Sequence, residues 1–85
     1  MPTVQLYALS TCPWCRKAKQ FFSDNGVPFE CTDVDLLSPE AQEEVSDRVY
    51  KLTGTLQYPV AIIGDAVVTG YRPEKYVALL GLRLG

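Results

Sequence analysis

Apolar positions change their spacing along this chain in a way that predicts seven elements. Val4 to Leu9 is a short, partly alternating apolar run, as expected of a buried strand. After it the period lengthens to that of a helix. Pro13 falls in the first turn, where a missing N–H costs nothing, Trp14, Ala18, Phe21 and Phe22 recur at helical spacing, and Asn25-Gly26 supplies a left-handed stop. Phe29 to Val34 predicts a second strand. Ser38-Pro39 opens a second helix as cap and first residue; Ala41, Val45, Val49 and Leu52 form its buried stripe, and Glu43, Glu44, Asp47 and Lys51 its wet face. Beyond Gly54, Val60–Ile63 and Ala66–Thr69 flank Gly64-Asp65, a two-residue link that suits a type I′ hairpin. Pro73 starts a last helix, with Tyr76, Val77, Leu79 and Leu80 turned inward before Gly81.

The order β-α-β-α-β-β-α predicts an α/β fold. Strands separated by helices pair in parallel through right-handed crossovers, and the hairpin adds an antiparallel edge. The expectation is one mixed four-stranded sheet flanked by three helices, forming a single domain over residues 1–85.

Composition narrows the partners. With 47% hydrophobic and 21% charged residues in 85, the chain suits one small core. A net charge of −2 and a pI near 4.9 argue against nucleic acid, which is held by basic surfaces. No stretch approaches the ~18 apolar residues of a membrane span, and the opening residues show no secretory leader, so a cytoplasmic protein without membrane contact is expected. Arg16, Lys17 and Lys19 cluster in the first helix while acidic residues crowd the middle of the chain, so one end is locally cationic.

That end carries Cys12-Pro13-Trp14-Cys15. Two thiols on a strand-to-helix corner face unpaired N–H groups and the positive end of the helix dipole, which favours the thiolate, the attacking species in disulfide exchange. Cys12, at the tip, is the expected nucleophile; Cys15, one turn inside, is the expected resolving thiol. Three cysteines and no histidine cannot complete a structural zinc site, so no metal is expected. Cys31 is expected to line the core, with a regulatory thiol as the alternative. Trp14 is a core residue or, between the two cysteines, an exposed contact residue. Pro59 after Tyr58 marks the start or edge of a strand, and Gly70-Tyr71-Arg72-Pro73 is a turn into a helix or a lip for a bound chain.

Together these residues resemble the glutaredoxins of the thioredoxin fold. The likeness covers nearly the whole chain: the strand ending near Tyr7, the Cys12-Pro13-Trp14-Cys15 dithiol, the acidic exit Asp33-Val34-Asp35, Tyr58-Pro59-Val60 before the hairpin, and the turn at Gly70. It implies sheet order 2-1-3-4, a cis bond at Pro59 facing the cysteines, and reversible reduction of protein or glutathione mixed disulfides, with no tightly bound cofactor and glutathione as a possible co-substrate. It implies substrate contacts at Pro13, Trp14, Tyr58, Pro59, Gly70, Tyr71 and Arg72. Leu9 stands where glutathione-using members carry a lysine. The lip Thr69-Gly70-Tyr71-Arg72-Pro73-Glu74 is similar to that of the redoxins that donate electrons to ribonucleotide reductase and are recharged by thioredoxin reductase. Arg72, Arg16 or Lys17 remain able to hold a glutathione carboxylate. The expected state is a monomer acting on disulfide-containing proteins; the rival from another class is a dimer bridging an iron-sulfur cluster through Cys12.

Overall fold

The computed structural model describes residues 3–55 and 57–81. Its elements are β1 (Val4–Ala8), α1 (Pro13–Asp24), β2 (Glu30–Asp33), a 3-10 turn (Val34–Leu36), α2 (Pro39–Thr53), β3 (Val60–Ile63), β4 (Ala66–Thr69) and α3 (Pro73–Leu80). Each helix opens on proline, whose missing N–H is one that has no intrahelical partner anyway. Ser38 caps α2 by accepting the Ala41 N–H at 3.3 Å. At the end of α1, Gly26 N–H donates to Ser23 and Val27 N–H to Phe22, which closes the helix and folds Val27 back beside Phe22 in the core.

The sheet order is β2-β1-β3-β4. β1 and β2 are parallel, as their helical crossover dictates, whereas β3 runs antiparallel to β1 with Val60 opposite Tyr7. This corrects the expectation that only the hairpin is antiparallel. β2 leaves the sheet at the carboxyl end of β1, and the chain re-enters at that same end, so α2 crosses the face without carrying it back. The reversal matters for function, because a full return would have put Tyr58-Pro59 at the opposite end of the sheet from the cysteines. The hairpin also differs in detail. Only Gly64 has a positive φ, of 60°, whereas a type I′ turn requires one at Asp65 too; glycine first with an ordinary second residue is the type II′ pattern.

Alternation along the strands builds two cores. Val4, Leu6 and Ala8 of β1, with Ala61 and Ile63 of β3, meet Cys15, Ala18 and Phe22 of α1 and Tyr76 and Leu80 of α3. Tyr7 and Val60 point the other way and meet Val49 of α2 and Val34. Leu52 is 49% exposed, not buried: fifteen helical residues span ~22 Å, more than this sheet offers along its four- and five-residue strands or across them, roughly 13–17 Å. Leu79 is likewise exposed, because eight residues of α3 bury only the pair Tyr76 and Leu80, one turn apart. Cys31 is exposed as well. It pairs with Leu6 and so shares the α1 face, yet it lies in the edge strand, where the helical cover ends at the Lys19–Asp33 ion pair.

Candidate active site

The carboxyl end of β1 leads in four residues to the tip of α1. That short connection is pinned from outside by Asp35, which accepts the Ser10 N–H at 2.8 Å and the Ser10 hydroxyl. Cys12 N–H then donates to Leu9 O at 3.1 Å, tightening the turn. Cys12 becomes the N-cap, with φ −87° and ψ 120°, and Pro13 the first helical residue. Cys15 follows inside the first turn, fully buried, its sulfur accepting the Leu9 N–H at 3.4 Å.

These placements separate the two thiols chemically. Burial opposes ionisation of Cys12, but it is outweighed by the Cys15 N–H, the Cys15 thiol and the Trp14 N–H, which approach its sulfur without forming a full capping bond and hold its pKa below the ordinary thiol range. Burial drives Cys15 the other way, up to about 11, and a neighbouring Cys12 charge adds to the rise. Partial desolvation at the sheet edge also raises Cys31, despite the nearby Lys19 ammonium. Thiolate fraction increases with pH through each pKa, so iodoacetamide labelling read by peptide mass should modify Cys12 first on a rising pH series. Cys31 should follow above the ordinary thiol range and Cys15 only near 11, although Cys31 is the most exposed thiol. Equal labelling of Cys12 and Cys31 at neutral pH would contradict this ordering.

The opposite wall comes from β3 and the lip after β4. The Tyr58-Pro59 bond is cis and Pro59 is buried. Its carbonyl accepts the Gly70 N–H at 2.8 Å, while the Gly70 carbonyl accepts the Tyr76 hydroxyl at 3.0 Å. Gly70 thus spends both backbone groups inside the protein. Its φ of 77° explains glycine here, since the space a Cβ would occupy is empty. Among the described residues, no backbone hydrogen bond uses the Tyr58 N–H or C=O. Trp14, Gln57, Tyr58, Gly70 and Tyr71 line an open hollow of about 420 Å³ beside the cysteines, with Trp14 and Tyr71 stacked at 6.2 Å and Lys17 Nζ 4.6 Å over the Trp14 ring.

Of the residues singled out in the sequence, Cys12, Pro13, Trp14 and Cys15 stand on the tip of α1, and Trp14 is 55% exposed, settling its two readings in favour of the surface. Tyr58, Gly70 and Tyr71 share its hollow, and Pro59 lies beneath them. Arg72 is turned away: its Nε donates to Thr69 O at 3.2 Å and it does not line the hollow. Two features escaped the sequence reading. Gln57 lines the hollow without any motif to mark it, and Asp35 pins the cysteine loop, for which the acidic exit Asp33-Val34-Asp35 was the available signal. Among the described residues, no three His, Cys, Asp or Glu side chains gather as metal ligands, and no helix is long and apolar enough to cross a membrane.

Two thiols of opposite character within one helical turn can accept and return an electron pair without any bound cofactor. Mounted on this thioredoxin-like fold, they define the class: a thiol-disulfide oxidoreductase. The chain belongs to the glutaredoxin family, whose model matches residues 4–68. It is 32% identical over 71 residues to the glutaredoxin-like protein NrdH of Escherichia coli, covering 84% of this chain and 80% of that one. The structure of a glutaredoxin from Archaeoglobus fulgidus superposes with a TM-score of 0.87 at 38% identity over 94% of this chain and 87% of the other. Methanosarcina acetivorans methanoredoxin gives 0.90 at 30% identity, over 95% and 86%. The NrdH-redoxin structure gives 0.69 at 29%, over 98% and 97%.

Proposed function

We propose that Cys12 is the nucleophile and Cys15 the resolving thiol of a reductase for disulfides on polypeptides. The Cys12 thiolate attacks one sulfur of the substrate disulfide, forming a mixed disulfide and releasing the other sulfur as a thiolate, which takes up a proton. Cys15 then loses its proton, attacks the Cys12 sulfur and releases the second substrate thiolate. The enzyme is left oxidised as a Cys12–Cys15 disulfide, and the substrate has gained two electrons. The observation that carries this reading is the opposed environment of the two sulfurs. Formation of the mixed disulfide consumes the Cys12 charge, which removes one of the effects holding Cys15 protonated. The Tyr58 backbone, which no backbone hydrogen bond among the described residues uses, suits alignment of an incoming chain beside Cys12.

For recharging, a thioredoxin-reductase-type flavoprotein is favoured over glutathione. Leu9 leaves no lysine ahead of the dithiol, Arg72 is tied to Thr69, and the lip is walled by Trp14 and Tyr71. NrdH-redoxin, a structural relative, is described as having a thioredoxin-like activity profile. NADPH consumption with a small disulfide substrate tests the choice. Turnover is expected with thioredoxin reductase alone; turnover only with glutathione and glutathione reductase would reverse the assignment of donor, and failure with both would remove the reductase reading.

A further inference from the structure

Tyr71 has a second face. On the side away from the cysteine hollow, its ring and that of Phe21 wall another open hollow of about 350 Å³, whose rim carries Lys17, Gln20, Asp24 and Asn25 on the outer surface of α1. The partition between the two is braced: Tyr71 packs on Tyr76 at 6.3 Å, and Tyr76 on Phe21 at 5.5 Å. Lys17 is drawn toward the Trp14 ring on the cysteine side. Asp24 accepts a hydrogen bond from the Gln20 amide at 2.6 Å, and among the described residues it has no cationic partner. The second hollow therefore offers aromatic walls and one carboxylate not paired with a cation, and it is continuous with the reactive groove through the shared ring.

We propose that this hollow is a specificity subsite for polypeptide substrates, seating an arginine or lysine that lies a few residues from the reactive cysteine. The proposal rests on the disulfide reductase reading. A disulfide that reaches Cys12 brings its chain over Tyr58 and the Trp14–Tyr71 pair. Asp24 lies twelve residues along α1 from Cys12, ~18 Å at 1.5 Å per residue, a span that about three extended residues at ~3.3 Å each, plus the length of a long basic side chain, can cover. The apolar stem of a long basic side chain packs on Phe21 and Tyr71, and its cationic tip meets Asp24. Small disulfides end before reaching it.

The test uses the full chain with octapeptides whose single cysteine carries a chromogenic mixed disulfide. One series has arginine one to three residues from the cysteine, the other alanine throughout, and hydroxyethyl disulfide is the short reference. The expected result is a kcat/KM several-fold higher for one arginine position. Gln20→Trp, which fills the hollow from an exposed position, should erase that preference by raising KM about tenfold for the arginine peptide, while hydroxyethyl disulfide turnover stays the same. Asp24→Asn should reduce the preference for arginine without reducing turnover of the alanine peptide. Equal kcat/KM for all peptides, or parallel changes for peptides and hydroxyethyl disulfide in the variants, would overturn the subsite. Absence of turnover with every disulfide, the short one included, would instead overturn the reductase reading and the subsite with it.

Discussion

Cys12→Ser should abolish disulfide turnover, by a factor on the order of 10³ or more, as expected when a covalent nucleophile is removed. The hydroxyl that replaces the thiol stays protonated at neutral pH, so the N–H groups of Trp14 and Cys15 have no anion to favour. Cys15→Ser has a different signature. Cys12 keeps the N-terminal position of α1 and still attacks, but nothing releases the product, so a mixed disulfide with the substrate accumulates and is visible as an added mass. The pair of outcomes discriminates between the two thiols. If Cys15→Ser lost all labelling and Cys12→Ser trapped the adduct, the roles assigned here would be exchanged. If both variants kept wild-type turnover, Cys31 would have to be the reacting thiol, against its raised pKa.

The second large effect concerns the fold that holds the dithiol. Phe22→Ala should lower stability by about 3–5 kcal/mol, the cost of deleting a fully buried ring. Phe22 sits 4.8 Å from Tyr76, 5.5 Å from Phe29 and 5.7 Å from Phe21 between ring centres, so its loss empties the middle of an aromatic cluster. A chain of 85 residues has a total stability of about 4–13 kcal/mol, so the variant should melt roughly 15–30 °C lower and be partly unfolded at 37 °C. Phe22→Leu, which preserves most of the volume, should cost under ~1.5 kcal/mol. Thermal denaturation followed by circular dichroism checks both; a drop below about 5 °C for Phe22→Ala would mean that α1 is not anchored through this ring.

Most of the architecture was legible because local chemistry and global packing agree here. The three prolines that open the helices, the Ser38 cap and the Asn25-Gly26 stop fix element boundaries within a residue or so, and the period of the apolar residues fixes their type. Strand direction was not legible for β3, since nothing in a local pattern says whether α2 carries the chain back along the sheet or merely across it. Burial at element ends was also hidden. Leu52 obeys the helical stripe and still reaches water, because the stripe continues where the sheet does not. Cys31 shows the same limit in a strand, being a small apolar residue on the core-facing side of an edge. In the site, the reactive pair announced itself through spacing and position. Gln57, and Phe21 and Asp24 beside the second hollow, became visible only once tertiary packing had brought α1, the lip and the Tyr58 segment together.

The edge position of β2 has a consequence for self-association. An uncovered strand edge invites a second copy, and a two-fold antiparallel pairing of two β2 strands that sets Cys31 opposite Cys31 would bring the Glu30 side chains of both copies onto one diagonal of the same face. Like charges on neighbouring diagonal positions disfavour such a ladder. The four residues Glu30-Cys31-Thr32-Asp33 thus guard the open side of the sheet with charge, keeping apart the strands that would otherwise bring two Cys31 thiols into neighbouring positions.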